Sequence, residues 1–253
     1  MKQSFLENSK IRLKKIVTEN RLEDTPVMVL VKTLTPEEAI GEPGRRDYPI
    51  ILGKERMVEA TFLGTRAHAF TDSPGEFIGS LGEIINFPLS SNKGRAIYTA
   101  TLNAVLKHLN LLEKTIHCRD EDPENCAREI ASHLLERWGN VTVGLIGMNP
   151  AIAERLVQTF GVNHVRITDL NQQNITSTKF GVTIWDGNTM IEKLVRHSEV
   201  ILITGTTLVN GTFDSIMELI QIYGKNYLIY GVSGSGVCQL MGLKRICPYG
   251  RNS

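Results

Sequence analysis

Apolar and polar positions alternate with two different textures along the chain, irregular up to about residue 138 and regular beyond it. Phe5, Leu6, Ile11, Leu13, Ile16 and Val17 recur at roughly helical spacing, and Val27 to Leu34 is β-branched and apolar, so a helix followed by a strand is predicted. Gly41 to Pro49 carries two prolines and two glycines around Arg45-Arg46-Asp47 and reads as an exposed loop. Residues 57–71 partly alternate about Gly64, as in a β-hairpin. Ser80 with Glu83 has the form of a capping box before Ile84 and Ile85, in a helix kept short by Gly82 and Pro88. Ala96, Ile97, Ala100, Ala104, Leu106 and Leu109 mark a longer helix between Lys93 and Leu112. Asp122-Pro123 starts another that reaches about Trp138.

From residue 139 the pattern is β-α repetition. Residues 141–147, 164–170, 199–205 and 226–232 are short apolar strands of the kind buried on both faces. Helical patterns lie between them at Pro150 to Phe160, Thr189 to His197 and Thr212 to Tyr223. The expected fold class is α/β, with a Rossmann-like parallel-sheet domain over 139–253 preceded by a smaller α+β domain over 1–138.

In an open parallel sheet, ligands bind beyond the carboxyl ends of the strands, so the turns there are the first places to seek chemistry. The turn Gly144 to Pro150 has the glycines and helix start of a phosphate-type turn, Gly147 among them, without a full G-x-G-x-x-G; tight strand-to-helix packing explains it equally well. Asp169 stands where a dinucleotide fold places its ribose acid, and with the fingerprint incomplete a capping role is favoured. The richest stretch is Thr204 to Asp214, in which Thr204, Gly205, Thr206, Thr207, Asn210, Gly211 and Thr212 offer hydroxyls, a carboxamide and backbone amides ahead of a helix. Either Asn210 or Thr212 alone would serve as the cap, so the excess points to binding. A second glycine-serine turn at 231–238, with Ser233 in it, should lie beside the first.

The N-terminal half adds a polar patch of Lys54, Glu55, Glu59, His68, Thr71 and Asp72 around the hairpin, where a solvated strand face is the ordinary explanation. Asn103 interrupts an apolar helix face between Leu102 and Ala104, either as a satisfied buried amide or as a residue facing the cleft between the halves.

Charge and composition narrow the classes. A formal net charge of +1, without a basic run or an aromatic-interleaved basic stripe, argues against nucleic acid as a partner. No apolar run approaches the ~20 residues that span a bilayer, so no membrane partner is expected. Cys118, Cys126, Cys238 and Cys247 are too few and too unevenly spaced for a disulfide framework, which fits a reducing cytoplasm. The chain has no C-x-x-C and no H-x-x-x-H, and each cysteine reads first as a small buried residue. Were a metal bound, Cys238 would be the first candidate ligand, since its turn should face the cleft.

The succession GKERMVEATFLGTRAHAFTDSPG, an alanine-rich helix with Asn103, then TGTTLVNGTFD closely resembles a prokaryotic family described as putative heavy-metal chelation proteins. The resemblance implies an N-terminal domain similar to the enolase N-terminal domain, a C-terminal Rossmann-like domain and a site between them. The alanine and histidine of RAHAFTD stand where relatives are expected to carry glycine and glutamine, so local contacts of the hairpin should differ. The resulting expectation is a cleft that binds a small anionic ligand, a metal ion or a metal complex. Glu59, Thr71, Asp72 and Asn103 would face it from one side, and Gly147, Thr204, Gly205, Thr206, Asn210, Gly211, Thr212 and Ser233 from the other. The cofactor is unassigned beyond a heavy or transition metal ion, and self-association into a homo-oligomer is left open. An enzyme acting on a nucleotide or related metabolite is the alternative; no nucleophile elbow or P-loop supports acyl transfer or nucleotide hydrolysis, and no catalytic residue is assigned.

Overall fold

The structure, a computed structural model, describes residues 3–32, 40–53 and 55–252. Lys54 and the end of the strand expected to reach Leu34 lie outside the described residues. A first helix, α1 (Phe5–Glu19), is capped by the Ser4 side chain, which accepts from the Glu7 amide. A four-stranded antiparallel sheet follows, built from β1 (Pro26–Lys32), β2 (Arg56–Phe62), β3 (Thr65–Thr71) and β4 (Phe77–Ser80) in the order β3-β2-β1-β4. The β2–β3 hairpin turns at Leu63 and Gly64, both with positive φ (47° and 80°), as a two-residue turn matched to strand twist requires.

After α2 (Leu81–Ile85), where Ser80 and Glu83 form the expected capping box, comes α3 (Asn92–His108). Residues 96–106 of α3 are all buried, because one face packs on the antiparallel sheet and the other on helices of the C-terminal half. A helix buried all round needs small and apolar side chains on every face, which its alanines supply.

The second sheet comprises β5 (Val143–Ile146), β6 (Val165–Asp169), β7 (Thr178–Lys179), β8 (Val182–Asp186), β9 (Val200–Thr204), β10 (Asn226–Tyr230) and β11 (Arg245–Ile246), in the order β11-β10-β9-β5-β6-β8-β7. All neighbours are parallel except β7 with β8. The four expected strands are its central four; the β7–β8 hairpin and β11 extend its two edges. The chain winds one way from β5 to β6 and the other way from β9 to β10, so a switch point lies between β5 and β9. Helices α4 (Asp122–Trp138), α5 (Pro150–Phe160), α6 (Ile191–Arg196), α7 (Thr206–Asn210), α8 (Phe213–Ile222) and α9 (Ser235–Met241) complete the chain.

Two hydrophobic cores result, and neither respects a division at residue 138. The first joins Leu13, Phe62 and Ile97 to Ile201, Phe213 and Val237, so one face of the parallel sheet is roofed by the N-terminal half. The second joins Ile130 and Leu134 of α4 to Val143, Ile152 and Leu202, placing α4 by packing with the parallel sheet. Helix α1 meets α8 and α9: Phe5 stacks edge-on against Phe213 at 5.2 Å and its amide donates to Asp214 Oδ1 at 2.8 Å. Among the described residues no helix is long and apolar enough to cross a membrane.

Candidate functional site

A cavity of about 660 Å³ opens where the carboxyl ends of β5, β6, β8, β9 and β10 face the end of the β2–β3 hairpin. Its floor is the turns after those strands: Gly147 and Asn149, Asp169 and Asn171, Asn188, Thr204 to Thr207, and Gly231 to Ser233. Glycine permits this floor at two places. Gly147 has φ +89°, and a Cβ there would meet Thr204 Cγ2 at 2.6 Å. At Gly205 a Cβ would lie 2.5 Å from the backbone nitrogen of Gly234, so the turns after β9 and β10 touch main chain to main chain.

The turn after β9 is largely self-satisfied. Thr207 Oγ1 donates to Thr204 O at 2.7 Å, and Thr204 Oγ1 donates to Thr206 Oγ1 at 3.3 Å. Asn210 Oδ1 accepts from the amide and hydroxyl of Thr212 at 3.1 and 2.8 Å, which makes Asn210 the local organiser of the chain entering α8. Thr204, Gly205, Thr206, Asn210, Thr212 and Ser233 line the cavity; Gly211, left-handed at the end of α7, does not, and faces the Arg95 guanidinium.

From the N-terminal half, Thr71 and Asp72 reach the same cavity, as does Glu55. Glu59 does not. Its carboxylate faces its cross-strand partner His68, with Oε2 3.0 Å from Nε2 and 3.7 Å from Arg66 Nη1. The His117 amide donates to His68 Nδ1 at 3.2 Å, which leaves the proton on Nε2 for Glu59. Asn103 is also absent from the lining. It is fully buried, donates to His68 O and Val232 O at 3.2 and 3.0 Å, and accepts from the Gly236 amide at 2.7 Å. Glu59 is taken up by partners within its own sheet, whereas Asn103 is the satisfied buried amide of its two readings, held at the join between the halves. Ser233 is used similarly, accepting from the Phe70 amide at 2.9 Å, yet still borders the cavity.

Cys238 sits in α9, turned into the first core and away from the cavity lining. Burial pushes its thiol up to about 12. The other three cysteines do line the cavity, together with His117. Cys118 and Cys126 come from the loop into α4 and from α4 itself, while Cys247 arrives on the segment after β11, held by the Ile116–Arg251 bridge and by Arg251 bound to Asp122 Oδ2 at 2.6 Å. Burial raises the Cys118 thiol well above its ordinary range and that of Cys126 to about 12, with the neighbouring cysteines adding to both. His117 is driven down to about 3, by burial first and by His68 next, so its imidazole is neutral at ordinary pH.

Three carboxylates share the cavity lining: Glu55, Asp72 and Asp169. Glu55 is pushed up to about 7 by burial, then by the charges of Asp169 and Asp72. Asp169 is committed within its own loop, accepting from the Leu170 and Asn171 amides at 2.7 and 3.2 Å and from Asn174 Nδ2 at 2.5 Å. Asp72 accepts from Asn92 Nδ2 at 2.8 Å. Among the described residues no three His, Cys, Asp or Glu side chains are placed to hold a metal ion together.

The molecule is thus a mixed α/β protein with two sheets, one of them parallel-rich, and a roomy cavity at the strand ends of the latter. The family model of DUF364, described as putative heavy-metal chelation, matches residues 130–238, so the resemblance drawn from the sequence stands over that stretch. Among solved structures, a DUF364 protein of unknown function from Pyrococcus horikoshii is similar with a TM-score of 0.55 and 17% identity, over 91% of this chain and 80% of that one. A DUF364 protein of unknown function from Desulfitobacterium hafniense has a TM-score of 0.48 and 12% identity, over 74% of this chain and 72% of that one. No curated protein matches the chain.

Proposed function

We propose that the cavity binds a small metal complex, held by the Glu55 and Asp72 carboxylates and by the polar turns after β5, β9 and β10. The observation that carries this reading is the convergence of Glu55, Asp72 and Asp169 from three separate segments on one cavity, where burial first, and then the charges of Asp169 and Asp72, push Glu55 up to about 7. Like charges so placed are relieved by a cation. The volume of about 660 Å³ is that of a small-molecule site, not of a bare ion, so the cation should arrive with organic ligands of its own. The family description points the same way. Carboxylate and hydroxyl donors fit the outer face of such a complex, and Thr71, Thr204, Thr206 and Thr212 would orient it. The anionic ligand also considered from the sequence is disfavoured by the same three carboxylates.

The test is elemental analysis of the chain purified without tag or chelator, beside a Glu55→Gln, Asp72→Asn double variant. Stoichiometric metal in the native chain and at least about tenfold less in the variant is the expected result. Equal metal in both would refute the carboxylate assignment.

A second reading, an enzyme acting on a nucleotide-like metabolite, is favoured by the cavity's position at the switch point of the parallel sheet. Against it, the Asp169 oxygens that would take ribose hydroxyls already accept from their own loop. Stabilisation by about 3 kcal/mol at a hundredfold excess of a nucleotide over its Kd would favour this second reading over the first.

A further inference from the structure

The cavity lining is divided in character. Arg56 pairs with Thr71 at the open end of the β2–β3 hairpin, so Glu55 and Asp72 occupy the next facing positions, side by side on the lining. Asp169 joins them from the end of β6. Among the described residues no lysine or arginine borders the cavity. Another part of the lining is apolar. Ile40, Tyr48, Met148 and Ile152 all border the cavity and all belong to the second core, and Ile50 packs against that core, so the five make one continuous wall. Ile40, Tyr48 and Ile50 lie in the segment between β1 and β2, which Arg45 ties down: its Nη1 is 3.2 Å from Glu124 Oε1 on α4 and 3.0 Å from Glu154 Oε2 on α5, and the Tyr48 hydroxyl donates to the same Glu124 oxygen at 3.0 Å. The wall is therefore held in shape by the protein's own contacts, which lowers the cost of placing a ligand against it.

We propose that the cavity takes a ligand of two joined parts, a cationic end at Glu55 and Asp72 and a hydrocarbon body, a short chain or small ring, against the apolar wall. The paired carboxylates call for a positive partner, and among the described residues the lining supplies none. A polar body would give up its water against Ile40, Met148 and Ile152 without gaining a hydrogen bond from them. A hydrocarbon body gains there instead, by roughly fourfold in affinity for each methylene taken out of water. The volume of about 660 Å³ has room for both parts. The inference rests on the reading of the carboxylates as the seat of a cation and goes beyond it by naming the chemistry of the rest of the ligand.

Calorimetric titration of the full chain with n-alkylammonium ions from ethyl to hexyl, beside the alcohols of matching length, tests it at a pH above the Glu55 titration. Affinity for the ions is expected to rise by roughly threefold to fourfold per methylene, and hexylammonium should bind at least about tenfold more tightly than hexanol. Ile50→Ser, at a half-buried position of the wall, should weaken hexylammonium by roughly fivefold more than ethylammonium. Affinity that does not change with chain length overturns the proposal, and so does the absence of saturable binding by any of the ions. Glu55→Gln, Asp72→Asn is expected to erase the preference for the ion over the alcohol. The two parts fail separately. A flat series whose preference for the ion is lost in that double variant removes the apolar wall alone and leaves the carboxylate reading standing. Equal binding of ion and alcohol by the native chain, with the rise along the series intact, removes the cationic end and the carboxylate reading with it.

Discussion

Asn103 does for two helices what no backbone group can. Its Oδ1 accepts from Gly236, in the opening turn of α9 where amides lack intrahelical partners, and its Nδ2 satisfies carbonyls of β3 and of the turn after β10. Asn103→Ala would take the partner from the buried Gly236 amide and His68 carbonyl, while Val232 O keeps the Ser235 amide and hydroxyl, and a loss of about 2–4 kcal/mol is expected in urea unfolding. The sequence showed an amide out of place on an apolar face; which of its two explanations holds depends on β3 and α9, both remote in the chain. Glu55 was not legible, since a glutamate beside a hairpin reads as solvated, and only folding sets it against Asp72 and Asp169. Its titration has a consequence for stability. The native state holds the Glu55 proton up to about 7 while the unfolded chain releases it near 4.5, so stability falls as pH rises across that window. His117 acts oppositely: from its ordinary 6.5 down to about 3 the unfolded chain takes up a proton that the native state refuses, so stability falls as pH drops. Between about 4.5 and 6.5 the two offset each other, and below 4.5 the His117 loss stands alone. Glu55→Gln is expected to turn the flat region into a rise with pH, measured by urea midpoints across the series.

At the scale of elements, the two turns after β9 and β10 behave as one unit because Gly205 and Gly234 meet at their backbones. Gly205→Ala should cost about 3 kcal/mol and distort the cavity floor. Gly211→Ala, which strains a left-handed residue against the Arg95 guanidinium outside the lining, should cost about 1 kcal/mol and spare ligand binding, a contrast that thermal unfolding and titration together would reveal. The four central strands were readable because strands buried on both faces are continuous apolar runs. The β7–β8 hairpin was not, since its two residues of β7 are exposed and its signal is local alternation without bulk. Helix α9 was read only as a flexible turn, because its glycines and serines serve close packing on α3: a Cβ at Gly236 would meet Asn103 Oδ1 at 2.8 Å. Cys238 was the first candidate because its turn was expected to face the cleft; that Cys118, Cys126 and Cys247 border the cavity instead depends on the return of the segment after β11, which spacing along the chain does not register.

For the whole molecule, the change of texture near residue 139 marks a change of sheet and does not mark a seam in the packing. Helix α4 covers the parallel sheet from before that point, and α3 is shared between the halves. A piece comprising residues 139–253 would therefore expose the faces that α3 and α4 bury. It is expected to show no cooperative thermal transition by circular dichroism, in contrast to the full chain. Helix α1 adds a matter of time. Its docking partners Phe213 and Asp214 follow Phe5 by more than 200 positions, and a ribosome adding roughly 5–20 residues per second delivers them some ~10–40 s later. Through that interval the apolar stripe of Leu6, Leu13 and Val17 on the nascent helix lacks its final cover and is open to association with other apolar surfaces.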